Sequence, residues 1–90
     1  MENIIIDKLS KEDLEAKGVF NWPVWEKEAS RFSWYYDSKE SCYIIEGRVR
    51  VEPVGCVPVE FGAGDFVVFP AGMDCVWYIS EPVKKHYSFG

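Results

Sequence analysis

The sequence is short of histidine and of basic residues, and it lacks a long apolar run. One histidine, 10 Lys and Arg and 15 Asp and Glu give the 90 residues a net charge of −5. The one basic cluster, Lys84-Lys85-His86, is too short to follow a duplex. No run is apolar and long enough to span a membrane. These absences argue against a nucleic-acid-binding protein and against a membrane protein.

A secretion signal is also missing, and this bears on the state of the cysteines. The isoleucine run Ile4-Ile5-Ile6 is followed by acidic residues, a pattern that a signal peptide does not have. We therefore expect a cytoplasmic protein in which Cys42, Cys56 and Cys75 are reduced thiols. The simplest role for each is that of a small buried hydrophobe.

Apolar and aromatic residues, in contrast, are abundant. They make up 48% and 17% of the chain, which favours strands and a dense core. The many short apolar runs are separated by turn signals, and no repeat or linker interrupts them. The pattern predicts one all-β domain over residues 1–90, built as a small closed barrel filled by side chains.

The first 24 residues are predicted to precede the barrel core, which is expected over residues 25–90. A strand at Ile4-Ile5-Ile6 is followed by one short N-terminal helix, since Ser10 can cap it and Gly18 can end it. A strand is then predicted over residues 25–36, with Phe32, Trp34 and Tyr36 on one face. The last two strands are expected over residues 75–79 and 83–89.

Two stretches carry glycine, proline and glutamate at the spacing of the two cupin motifs. In GDFVVFPAGMDCVW, the residues Gly64, Pro70 and Gly72 match the second motif. Cys75 stands at its histidine position and Ile79 at its asparagine position.

The first motif is matched upstream. Glu40 and Gly47 stand at its glutamate and its second glycine, and Glu28 stands at its first glycine. Trp34 and Tyr36 occupy the two positions of its His-x-His element.

On these residues the sequence resembles the cupin superfamily, over roughly residues 25–90. It is similar in particular to the small single-domain cupins related to the ureidoglycine aminohydrolase domain. The resemblance implies a small jelly-roll β-barrel, and it implies that two copies pair as a homodimer.

The resemblance also bears on metal binding. A typical cupin metal site has three imidazoles and one carboxylate, of which this chain keeps only Glu40. The indole of Trp34 is no ligand, because its N–H is only a donor. We therefore expect no cofactor. A divalent metal, if one binds, would use Glu40, Tyr36 and Cys75.

The cupin register directs five residues into the barrel: Trp34, Tyr36, Glu40, Cys75 and Trp77. Aromatic walls with a few polar groups are typical of a pocket for a small polar metabolite. They are equally typical of a barrel whose interior is simply filled. The first interpretation is therefore a small-molecule-binding cupin without the histidine-based metal site. A structural or partner-binding dimer with a filled barrel remains an alternative.

An enzyme is the other alternative, a hydrolase or isomerase acting on a nitrogen- or sugar-derived metabolite. Glu40 would serve as acid or base, with Tyr36 and Cys75 beside it. A nucleophilic Cys75 would need a base, and His86 is the only histidine available. Cys75 could instead form a reversible disulfide with Cys42.

The surroundings of Glu40 decide between these interpretations. Burial among aromatic side chains would penalise the charged carboxylate, whereas a Lys or Arg within reach would favour it. A third option is a solvated carboxylate in the turn over residues 37–41.

Overall fold

The computed structural model describes residues 3–90, which form seven strands and two short helical segments. The strands are β1 (Ile5–Asp7), β2 (Val24–Lys27), β3 (Ser30–Tyr35), β4 (Glu40–Pro53), β5 (Val59–Gly62), β6 (Phe66–Phe69) and β7 (Asp74–Phe89). An α-helix, α1 (Lys11–Ala16), and a 3₁₀ turn (Val19–Asn21) lie between β1 and β2. The predicted all-β fold with one short N-terminal helix is confirmed.

All strand pairs are antiparallel, and the two long strands take part in two layers. One layer has the order β1-β6-β4-β7-β2, and in the other β5 pairs with β4 and β3 pairs with β7. The first part of β4 pairs with β6 and its second part with β5. In β7 the first part pairs with β3 and the second with β2. The two long strands thus close the small barrel.

The ladder between β4 and β7 bends around Gly47. Three shifts of register fall between Ile44 and Val49. Gly47 has a φ of +107°, and a Cβ on it would lie 2.5 Å from the carbonyl oxygen of Pro82 and 2.7 Å from the Cα of Val83. Gly47 therefore stands where β4 bends against β7. The final two predicted strands are, however, one continuous strand, because the ladder with β4 carries the chain through Pro82.

Alternate side chains of the long strands fill the core. Cys42, Ile44, Val49 and Val51 of β4 are buried, and so are Cys75, Trp77, Ile79 and Val83 of β7. The ring of Tyr36 stacks on Phe69, with centroids 4.7 Å apart, and Trp77 also packs against Phe69, with centroids 5.6 Å apart. The inward placement of Cys75 and Trp77 that the cupin register implied is thereby confirmed.

The N-terminal segment packs on the outside of β6. The Oγ of Ser10 accepts a hydrogen bond of 3.1 Å from the backbone N–H of Asp13, so the predicted helix start is confirmed. Leu14 and Val19 form a second buried cluster with Phe66. No helix within residues 3–90 is long and apolar enough to cross a membrane.

The predicted strand over residues 25–36 requires two corrections. It is interrupted after Lys27, so that β2 and β3 pair with different parts of β7. Trp34 was expected to be buried, but it is 47% exposed. It stands near the end of β3, which pairs with β7 on one side and has no second strand within residues 3–90.

The close approach at Gly47 gives a first prediction. Gly47→Ala adds left-handed strain of about 1–2 kcal/mol and an overpacking cost of about 1–3 kcal/mol. Gly72 is the matched control, since it has a φ of +82° but nothing within 4 Å of an added Cβ. Gly72→Ala should therefore show the strain alone. Denaturant unfolding of both variants checks this, and equal losses would contradict the close contact at Gly47.

Candidate functional site

A cavity of about 170 Å³ opens beside the aromatic core. Its walls come from β2, β3, β4 and β7 together with Tyr36. The lining residues are Trp25, Phe32, Trp34, Tyr36, Glu40, Trp77, Lys85, Tyr87 and Phe89. Trp34 and Phe89 are about half exposed and form part of the rim. The lining of the cavity is thus almost entirely aromatic, apart from the carboxylate of Glu40 and the ammonium of Lys85.

Glu40 and Lys85 form a buried ion pair in this wall. The Nζ of Lys85 donates to the Oε2 of Glu40 over 2.6 Å, and the two side chains are only 7% and 4% exposed respectively. Glu40 opens β4, and Lys85 lies on β7 opposite Ile44. The two side chains therefore extend along the ladder towards each other. A cation does reach Glu40, and the carboxylate is not solvated.

Two indole rings enclose the ammonium of Lys85. Its Nζ is 5.0 Å from the ring centroid of Trp25 and 4.9 Å from that of Trp77. The two indoles are themselves edge to face, with centroids 6.2 Å apart. Aromatic faces attract cations at this range, most strongly where water is excluded. Glu40 and the two indoles thus surround the side-chain nitrogen of Lys85 on three sides.

Tyr36 contributes a phenol that stays protonated. The indole N–H of Trp77 donates to its hydroxyl oxygen over 3.2 Å. Burial, and then the negative charge of Glu40, raise the pKa of Tyr36 far above its ordinary value. The phenol is therefore a neutral hydrogen-bonding group and neither a base nor an anionic ligand.

Cys75 lies outside the lining of the cavity. Its thiol donates to the backbone carbonyl of Trp34 over 3.6 Å, and burial raises its pKa to about 11. Burial likewise raises the pKa of Cys42 to about 12. Both are unbridged thiols that stay protonated at neutral pH. The structure therefore places Cys75 in the core beside the pocket and shows no disulfide with Cys42.

His86 faces away from Glu40 and Cys75. Neighbouring residues of a strand point to opposite faces, so His86 is on the outer face when Lys85 is inside. Its Nδ1 donates to the carbonyl of Trp22 over 2.9 Å, and its ring packs edge to face on Phe20. The set of Cys75, His86 and Glu40 considered for nucleophilic catalysis is not assembled.

The donor groups do not fit the metal site of a typical cupin. The Glu40 carboxylate is engaged by an ammonium, and the Tyr36 hydroxyl accepts from Trp77. Trp34 offers no ligand atom. Within residues 3–90 no three or more His, Cys, Asp or Glu side chains are grouped so as to hold a metal ion.

Sequence reasoning brought together four of the nine lining residues, Trp34, Tyr36, Glu40 and Trp77. It missed Lys85, which was taken only as part of a short basic cluster. The sequence did carry a signal for the inward position of Lys85, because Val83, Lys85 and Tyr87 alternate with the outward residues of the last strand. Trp25 was predicted at the start of an aromatic strand, but the sequence did not show which strand would pair with it.

The fold and this site define a class of protein, the cupin barrel. The chain matches the model of the EutQ-like cupin domain over residues 14–87. It is similar to a DUF861 family protein from Thermotoga maritima, with 44% identity, a TM-score of 0.96, and coverage of 98% of this chain and 100% of that one.

Two EutQ structures share the fold. The Clostridium difficile EutQ protein is 20% identical with a TM-score of 0.66, covering 73% of this chain and 52% of that one. A putative ethanolamine utilization protein Q from Salmonella typhimurium is 17% identical with a TM-score of 0.66, covering 98% and 69%. No curated protein matches. The chain belongs to the EutQ-like cupin domain family.

The buried pair gives a second prediction. Lys85→Met leaves the Glu40 carboxylate buried without its cation and should lower the free energy of unfolding by about 3–5 kcal/mol. The double variant Glu40→Leu/Lys85→Met removes both charges and should be more stable than the single variant. Denaturant unfolding measures both.

The control for this cycle is the exposed pair of Arg50 and Glu52, whose side chains are 47% and 37% exposed. Arg50→Met should lower stability by no more than about 1 kcal/mol. A Lys85→Met loss as small as that of Arg50→Met would mean that the Glu40 pair is solvated.

Proposed function

We propose that the protein binds a small polar metabolite in the aromatic-lined cavity, without a histidine-based metal site and without turning the metabolite over. The observation that supports this is an apolar cavity with two polar side chains, Glu40 and Lys85, in its wall. Binding sites for small molecules combine flat apolar walls with a few fixed polar groups in this manner.

The size of the cavity supports a ligand no larger than a single ring. A dry apolar cavity of roughly 150 Å³ accommodates benzene, and the cavity here has about 170 Å³. The half-exposed Trp34 stands at the rim, where it can cover a bound molecule. The space left between the rings favours binding over the alternative of a barrel filled only by its own side chains.

Turnover is the alternative that the resemblance to ureidoglycine aminohydrolase suggested, as a hydrolase or isomerase reaction. Glu40 is engaged by Lys85, the Tyr36 phenol stays protonated, and the Cys75 thiol is directed at a backbone carbonyl. None of the three is poised as a base or a nucleophile. These contacts favour binding over catalysis.

The compartment and the assembly are part of the same proposal. A cytoplasmic protein fits the buried thiols of Cys42 and Cys75, which a reducing environment preserves. Pairing of two copies as a homodimer is expected from the cupin resemblance.

The test is a titration of isotope-labelled protein with ring-sized polar fragments, followed through the indole N–H signals. Trp25, Trp34 and Trp77 line the cavity, whereas Trp22 belongs to the cluster under the N-terminal helix and serves as an internal reference. We expect fragments to shift the first three signals and to leave the fourth unchanged. Uniform or absent shifts would contradict a binding pocket.

Two neighbouring residues of β3 supply matched variants. Trp34 and Tyr35 are 47% and 50% exposed, but only Trp34 lines the cavity. Trp34→Ala should weaken fragment binding about tenfold or more, and Tyr35→Ala should leave it unchanged. A similar weakening in both variants would place the binding site elsewhere.

Metal analysis adds a further prediction. Because Lys85 occupies the carboxylate of Glu40, the purified protein should contain well under one transition metal ion per chain. Elemental analysis of tag-free protein measures this. About one metal ion per chain, lost in Glu40→Gln, would contradict the proposed absence of a metal site.

A further inference from the structure

We propose that the cavity selects neutral, planar molecules that carry a hydrogen-bond acceptor, such as carboxamides, and rejects organic cations and anions. This inference rests on the proposed function and names the class of ligand. Its basis is that Lys85 and Glu40 neutralise each other inside the cavity wall.

The charge of the site is balanced before any ligand enters. Lys85 and Glu40 are the only lysine, arginine, aspartate or glutamate in the described lining of the cavity, and they are 2.6 Å apart. The other walls are aromatic rings. A charged ligand would leave one uncompensated charge among these rings, and such burial is unfavourable.

Organic cations would have to compete with the ammonium of Lys85 for the same position. Two indole rings beside a carboxylate would ordinarily attract an alkylammonium group. Here the ammonium of Lys85 already lies about 5 Å from both ring centroids and contacts Glu40. A ligand ammonium would have to displace this side chain or lie beside a like charge, so Lys85 excludes it.

Organic anions are disfavoured by the carboxylate of Glu40. A ligand carboxylate drawn to Lys85 would also approach the carboxylate of Glu40, and the two like charges would repel each other. A neutral carbonyl avoids this conflict. The ammonium has three hydrogens, of which Glu40 takes one, so Lys85 can donate to a carbonyl oxygen without leaving its ion pair.

The planarity of the ligand follows from the walls. Trp25 and Phe32 line the cavity, and Phe32 stacks on Trp77 at an angle of 19°. Flat rings bury a flat ligand with the least empty space, and offset stacking adds to the gain from burial. A planar amide on a ring satisfies both the walls and Lys85.

The experiment compares benzamide, benzoate and benzylammonium, which have similar size and differ in charge. Each is titrated into the wild-type protein at neutral pH, and affinity is taken from the indole N–H signals of Trp25 and Trp77. We expect benzamide to bind at least about tenfold more tightly than either charged probe.

A variant tests the role of Lys85 directly. Lys85→Met removes the ammonium from between the two indoles and leaves the Glu40 carboxylate unpaired, so benzylammonium should become the tightest of the three probes. Lys84 is the matched control, because it lies on the opposite face of β7 outside the cavity. Lys84→Met should keep the wild-type order of affinities.

The possible results separate the two proposals. If benzoate or benzylammonium binds the wild-type protein as tightly as benzamide, the charge selection is wrong while the binding function stands. If Lys85→Met folds and still prefers benzamide, Lys85 is not the excluding group. If no probe shifts the signals of Trp25, Trp34 or Trp77, both proposals are overturned. The wild-type order is decisive even where Lys85→Met does not fold.

Discussion

The pairing of β4 with β7 is the interaction on which the rest of this structure depends. The two strands pair from Glu40 to Pro53, across both layers of the barrel. They can do so only because Gly47 lets the backbone of β4 approach Pro82 and Val83. In the same ladder Glu40 lies opposite Phe89 and Lys85 opposite Ile44, and the two side chains meet over the intervening positions. The fold and the polar centre of the cavity therefore have one origin.

A buried ion pair is the polar centre of the cavity. Glu40 stands at the glutamate position of the first cupin motif, and the positive charge that faces it belongs to Lys85 of the same chain. The ammonium is held by the carboxylate and by the faces of Trp25 and Trp77. Separation of such a pair leaves a charge in an apolar surrounding, so the pair is kept together. A site that carries its own counter-charge suits neutral ligands.

Local sequence chemistry predicted those parts of the fold that depend on neighbouring residues. Ser10 indicated the helix start because its hydroxyl can accept a hydrogen bond from a backbone N–H within one turn. The spacing of Gly64, Pro70 and Gly72 indicated the cupin turns. The cupin resemblance implied that Cys75 and Trp77 lie inside, and both are buried. Each of these signals spans only a few residues, so the sequence displays it directly.

What the sequence by itself determined was the cupin barrel, its turns and the burial of two aromatic residues, Tyr36 and Trp77. Only the tertiary structure decided that Lys85 meets Glu40, that Trp34 stands at the rim and that Cys75 stays out of the cavity wall. The two ionic partners are 45 positions apart in the sequence, and they meet only through the pairing of β4 with β7. Contacts of that kind depend on how long strands bend and pair. The pattern of residue types over a few neighbouring positions does not specify this geometry.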